Sequence, residues 1–160
     1  MSPFCDGQVH GDACVTFLVP GESRLHTAMT GISDLLLCAQ KCCQAGVSAC
    51  PPGVPYRCIA EAVSQAALSF GNFRVVAGIN GHGIGTYFHG PSDICHCIYE
   101  ESPDDHAVMF PGHVFTVKPY IASPSASSYE GSVRTSDHAL TAQFEEMVLI
   151  TSGGYDLLTR

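Results

Sequence analysis

The stretch Gly81-His82-Gly83-Ile84-Gly85 sets one imidazole among three glycines. Glycine frees the backbone to bend and leaves room beside the ring. The spacing is not that of a phosphate loop, and no helix clearly follows. His89 stands seven residues beyond His82, after Tyr87-Phe88. Either histidine taken alone is more often structural than catalytic. Two carboxylates shift the balance, because each interrupts an apolar, strand-like run: Asp12 in GQVHGDACVTFLV and Glu145 in TAQFEEMVLIT. A carboxylate in such a strand is costly to bury without a partner. Aspartate, histidine and glutamate on separate core elements make a donor set suited to a divalent ion, although spacing alone does not pair them. Lys118 is the remaining oddity, one of two lysines in the chain, at the end of GHVFTVKPY. It is either a solvated strand end or a cation placed in a site.

The elements that must carry these residues follow from pattern. Apolar alternation at Ala13, Val15, Phe17 and Val19 predicts a strand ended by Pro20-Gly21. Leu35 to Val47 has helical spacing, with Ser33 or Asp34 as N-cap and Pro51-Pro52-Gly53 as its stop. A second helix is predicted from Pro55 toward Gly71, with Ile59, Val63, Ala66 and Leu68 on its apolar side. Arg74 to Ala77 reads as a strand, and so does the run around Val114, Phe115 and Val117, stopped by Pro119. A polar loop (IASPSASSYEGS), the strands SVRTS and TAQFEEMVLIT, and a turn at Ser152-Gly153-Gly154 complete the chain. Strands, two helices, then more strands predict an α+β fold, its helices covering one face of a largely antiparallel sheet.

Composition narrows the function classes. At 160 residues the chain is one domain or one lobe of a larger one. Hydrophobic residues at 46% against 14% charged argue for a packed core rather than disorder. The net charge of -8, with seven scattered basic residues, offers no stripe to neutralise phosphates and argues against a nucleic-acid partner. No apolar run approaches the length of a membrane span, and MSPFCDGQVHGD lacks the pattern of a signal peptide. The expectation is therefore an intracellular protein whose nine cysteines are mostly reduced, half-buried thiols. Cys42-Cys43 and Cys95-His96-Cys97 lack a second ligand pair at zinc-finger spacing and read as structural.

Five segments, HGDACVTFLV, CPPGVPYRCIAEAV, NGHGIGTYFHGPSDICH, GHVFTVKP and TAQFEEMVLIT, occur in an order that resembles the type I methionine aminopeptidases. The likeness runs from about Gly7 to Thr159 and is strongest to the mitochondrial form of that family. It implies the pita-bread fold, two α/β halves around a two-metal site, and removal of the initiator methionine from new proteins. Residues 1–160 are then a single partial catalytic domain. Matched motif by motif, Asp12 and Glu145 stand where the family bridges its two ions, and His82 stands where it ligates one. His89 matches the histidine that contacts substrate and helps stabilise the reacting carbonyl, and Ile94 and His96 fit the segment after it. The cofactor implied is a divalent ion of the cobalt, manganese, zinc, iron or nickel class, and the partner a peptide or nascent-protein N-terminus.

Two of the family's five ligands do not match. One aspartate belongs eleven residues before Asp12, a count that falls on Met1. The glutamate of the family's FTxEP segment is replaced by Lys118, so the lysine sits where a ligand is expected. The family's upstream substrate-side histidine and the start of its N-terminal half have no match either. The expectation is a damaged centre without efficient methionine release. The rival reading is a non-catalytic protein or fragment that retains the fold and binds peptide N-termini. The compartment expected is the mitochondrion by nearest resemblance, or the cytoplasm, since no transit segment is seen. A bared sheet edge with exposed apolar surface is also expected.

Overall fold

The computed structural model describes residues 4–5, 9–19, 29–123, 129–130, 134–135 and 139–159. Three short strands, β1 (Phe4–Cys5), β2 (Val9–His10) and β3 (Cys14–Val15), precede the helices α1 (Met29–Ser48) and α2 (Arg57–Ser69). The strands β4 (Arg74–Val75), β5 (Gly81–Gly83), β6 (Gly90–Ile94), β7 (Val114–Val117) and β8 (Tyr120–Ala122) follow. The last are β9 (Tyr129–Glu130), β10 (Arg134–Thr135), β11 (Thr141–Thr151) and β12 (Gly154–Leu157). The main sheet runs β4-β8-β11-β7-β5-β6, with β3 and β12 also paired to β11. Its pairings are antiparallel, as the sequence pattern predicts.

β11 organises this sheet because it is long and alternates. Ala142, Val148 and Ile150 point into the main apolar core, with Phe144 packed against it. α1 covers that face with Leu35, Cys38, Ala39, Cys42, Cys43 and Val47, a spacing of three and four residues that lines one side of a helix. Gly46 lets the helix approach closely: a β-carbon there would lie 2.9 Å from Val117 Cγ1 and 3.0 Å from Val63 Cγ2. Among the described residues eight cysteines are free thiols, and those of α1 act as small apolar groups. Burial pushes the Cys50 thiol just beyond α1 up to about 12.

Several expectations are corrected. α1 begins at Met29, so Ser33 and Asp34 lie inside the helix and cap nothing. On α2 the buried side is Ile59, Ala60, Val63, Ser64 and Ala67, whereas Leu68 is exposed. Tyr120–Ala122 forms β8, so the strand continues past Pro119 where a loop was expected from Ile121. The 13–19 alternation is real but inverted. Val15, Phe17 and Val19 face solvent at 63–72% exposure while Asp12, Cys14 and Thr16 are half-buried, and regular strand covers Cys14–Val15 alone. Met1, Pro20-Gly21 and most of the 121–132 loop lie outside the described residues, as do parts of SVRTS.

Proline at 119 cannot donate to the ladder, yet the register is unbroken. Val117 pairs Glu146 and Tyr120 pairs Gln143. The intervening residues fall opposite each other, Lys118 facing Glu145. On the other flank of β11, Cys14 is paired with Glu145. One strand position thus meets a thiol on one side and an ammonium on the other.

Candidate metal centre

His82 is set by β5. A β-carbon on Gly81 would lie 2.0 Å from the Thr116 carbonyl oxygen, so only glycine lets β5 approach β7 this closely. The approach brings the His82 backbone N–H to Thr116 Oγ1 at 3.2 Å. The imidazole Nδ1–H donates to the Gly83 carbonyl at 3.1 Å. A carbonyl only accepts, so Nδ1 carries the proton and Nε2 keeps its lone pair for another group.

Asp12 arrives from the segment between β2 and β3. His10 N–H donates to the Gly85 carbonyl at 2.8 Å, tying this segment to the loop after β5. Asp12 N–H is directed at Met147 Sδ, 3.1 Å away. Glu145 comes from the middle of β11 on the face opposite the apolar core. Ligand atoms of Asp12, His82 and Glu145 all lie within 4.8 Å of one another. Two ligands each at about 2.1 Å from one ion are at most roughly 4.2 Å apart, so a slight closure would complete coordination. Within this group, His82 Nε2 and Glu145 Oε1 are buried and accept no hydrogen bond. Native proteins rarely leave such atoms unpartnered without a functional reason.

Burial governs the charges. It pushes the Glu145 carboxyl up to about 7; Lys118 opposes this rise, and Asp12 adds to it. Burial likewise lowers His82, favouring the neutral ring that a metal needs. Cys14 is raised by burial and by the two carboxylates, which keeps its thiol protonated beside them. Asp12 Oδ2 is 3.8 Å from His82 Nε2. Lys118 Nζ is 3.7 Å from Glu145 Oε1, an ion pair too long for a hydrogen bond.

The three sequence-derived ligand candidates are therefore brought together, with Lys118 beside them. His89 is exposed, its ring 4.3 Å from that of His82, and Phe88 packs between His82 and His10 at 5.7 and 5.6 Å. Ile94 and His96 are fully buried and line no open site. His96 Nε2 instead accepts the Lys118 backbone N–H at 3.2 Å, and burial lowers this histidine to about 4. Sequence reasoning missed Thr116, Met147 and His10. Met147 had a signal, since it follows Glu145 by two residues on a strand and so shares its face.

The profile of metallopeptidase family M24 matches residues 2–152. The chain belongs to metallopeptidase family M24. Its relatives include the mitochondrial methionine aminopeptidase 1D of Homo sapiens, 34% identical over 94% of this chain and 43% of that protein. A methionine aminopeptidase of Buchnera aphidicola subsp. Schizaphis graminum is 35% identical over 94% of this chain and 55% of its own length. The chain thus spans about half the length of these relatives. Among solved structures, the methionine aminopeptidase from Rickettsia prowazekii superposes with a TM-score of 0.83 at 24% identity, over 99% of this chain and 62% of that one. The prolidase from Pyrococcus furiosus gives 0.67 at 20% identity, over 95% and 37%. The fold is therefore the pita-bread fold that the motifs imply, and the family carries a methionine aminopeptidase-like metallopeptidase character.

The donor set decides what such a centre can hold. Asp12 and Glu145 supply two negative charges when ionised, and the Lys118 ammonium cancels one. Two divalent ions would leave an excess of three positive charges in a confined site. Each unit pair of like charges at 4 Å costs about 4 kcal/mol even at an effective dielectric near 20. Among the described residues, the donor set of one nitrogen and two carboxylates suits a single ion better than two.

Proposed function

We propose that this protein recognises the N-terminal residue of a peptide or nascent protein at a centre that takes one divalent ion, held by Asp12, His82 and Glu145. The observation that carries the reading is the convergence of these three side chains, with His82 Nε2 and Glu145 Oε1 buried and free of hydrogen bonds. When bound there, a divalent ion would supply Lewis-acid polarisation of a scissile carbonyl and a more acidic water. Neutral His82 presents Nε2, and Glu145 and Asp12 present carboxylate oxygens. His89, exposed beside His82, would touch the substrate carbonyl. Phe88 offers an aromatic face to an apolar side chain such as that of methionine. The relatives' names include both mitochondrial and bacterial aminopeptidases, and the compartment we propose is the mitochondrion, with the cytoplasm as the alternative. No helix among the described residues is long and apolar enough to cross a membrane.

Efficient methionine release by two-ion chemistry is not part of the proposal. A rival reading, a metal-free peptide binder, draws its support from the Lys118–Glu145 contact. Metal analysis after loading with manganese, followed by a methionyl-peptide assay with and without chelator, separates these readings. One ion per chain with trace, chelator-sensitive release is expected. Two ions per chain with rapid release would overturn the one-ion centre. Peptide binding without any bound metal would favour the rival.

A further inference from the structure

We propose that the Lys118 ammonium and the divalent ion are alternative occupants of one centre, so that Lys118 sets how tightly the chain binds metal. This rests on the one-ion reading above. The Glu145 carboxylate is the shared group: one of its oxygens belongs to the ligand group, and its Oε1 lies 3.7 Å from the ammonium. Oε1 itself accepts no hydrogen bond, so the ammonium is its nearest polar company. An ion bound to that carboxylate would sit beside a positive charge whose side chain is only 15% exposed and poorly screened.

The Lys118 backbone cannot move aside to relieve this. Its N–H donates to buried His96, and its carbonyl accepts from Gln143 Nε2 at 3.3 Å. The unbroken β7–β11–β8 register holds the residue opposite Glu145. The four-carbon stem is the part free to rotate, and it must carry the ammonium out toward solvent before an ion takes its place. Lys118 is thus a built-in competitor for Glu145, and the metal-free chain already contains a cation at its centre.

Manganese affinity of the full chain, measured by calorimetry and by the electron-spin signal of the bound ion, tests the idea. Lys118→Met keeps the apolar stem and removes the charge, so it should bind one manganese at least tenfold more tightly than wild type. Lys118→Glu, which adds a ligand, should bind more tightly still and melt lower than wild type without metal. Lys118→Arg keeps a cation and should retain the weak wild-type affinity, which separates charge from shape. Equal affinity in wild type and Lys118→Met, with binding lost in both on Asp12→Asn, would overturn the inference while leaving the one-ion centre intact. No manganese binding in any variant would overturn both. If Lys118→Met fails to fold, the order of Lys118→Arg and Lys118→Gln decides in its place, and equal affinities there count against the proposal.

Discussion

The two faces of β11 are built on opposite principles. Ala142, Val148 and Ile150 on one face are at most 2% exposed and sit in a continuous apolar core beneath α1. Gln143, Glu145 and Met147 on the other face meet polar groups: the Lys118 carbonyl, the Lys118 ammonium and the Asp12 N–H. The first face carries one carboxylate, Glu146, and the Thr159 hydroxyl donates to it. The second buries a carboxylate oxygen that accepts no hydrogen bond. Stability is concentrated on the helix side, and that surplus allows the other side to keep an arrangement costly in the metal-free state.

Cutting into the helix side should give the largest effect. Ile150 is 1% exposed, and Ile150→Ala removes methyl groups from a packed interior at a cost of about 2–5 kcal/mol. For a chain of this size the melting temperature should fall by about 5–15 °C. Manganese affinity of the protein that remains folded should not change, because nothing on the site side is touched. Thermal melts paired with metal titration check both halves. A large loss of affinity at unchanged fold would show that the two faces are not independent.

Glu145→Gln acts on the site face and should show itself through pH. In the metal-free wild type, burial raises Glu145 from an ordinary 4.5 to about 7. The folded state then holds a proton that the unfolded chain releases. The resulting contribution is present in full below about 4.5 and is lost as pH rises through about 7. By linkage the swing is on the order of 2–3 kcal/mol. Glutamine does not titrate, so the variant should match wild type near pH 4.5 and melt higher at pH 8. His82 contributes with the opposite sign: lowered by burial, its share is present above 6.5 and lost as pH falls. Both proteins carry that share, and subtracting one melting profile from the other isolates Glu145. A pH-independent difference would mean that the carboxyl is not strained in the fold.

The comparison of faces also explains what was legible in the sequence. Asp12 and Glu145 stood out because a carboxylate in an apolar strand breaks a local rule, and such breaks gather at sites. His82 stood out by the three glycines around it. Their convergence, and the meaning of Lys118, came from the order of motifs rather than from spacing, because the partners are far apart in the chain. The helix cores were readable, but the start of α1 was not. Ser33 and Asp34 have N-cap side chains, and only packing decides whether a helix continues through them. Pro119 was read as a stop because it removes one donor. Pairing of β7 and β8 with one long strand carries the register across it. The outward turn of Val15, Phe17 and Val19 could not be foreseen, since alternation gives the period of a strand and not which side is buried.

The smallest effect should come from Met147→Leu, and it tests how finely the site face is set. Met147 is 7% exposed, and leucine is close to it in volume, so the stability cost should stay below about 1.5 kcal/mol. What disappears is the thioether sulfur that receives the Asp12 N–H. A sulfur acceptor is weak, and its loss is worth no more than an ordinary hydrogen bond. Asp12 depends on that contact and on the nearby tie from His10 to Gly85 to hold its carboxylate toward His82. Loosening one of the two should let the carboxylate drift, which weakens metal binding more than it weakens the fold. In a Lys118→Met background, where affinity is high enough to follow, manganese binding should fall by roughly threefold, equivalent to about 0.7 kcal/mol. The melting temperature should move by only a few degrees. The reverse pattern, a clear loss of stability at unchanged affinity, would make Met147 a packing residue and leave His10 to place Asp12 without its help.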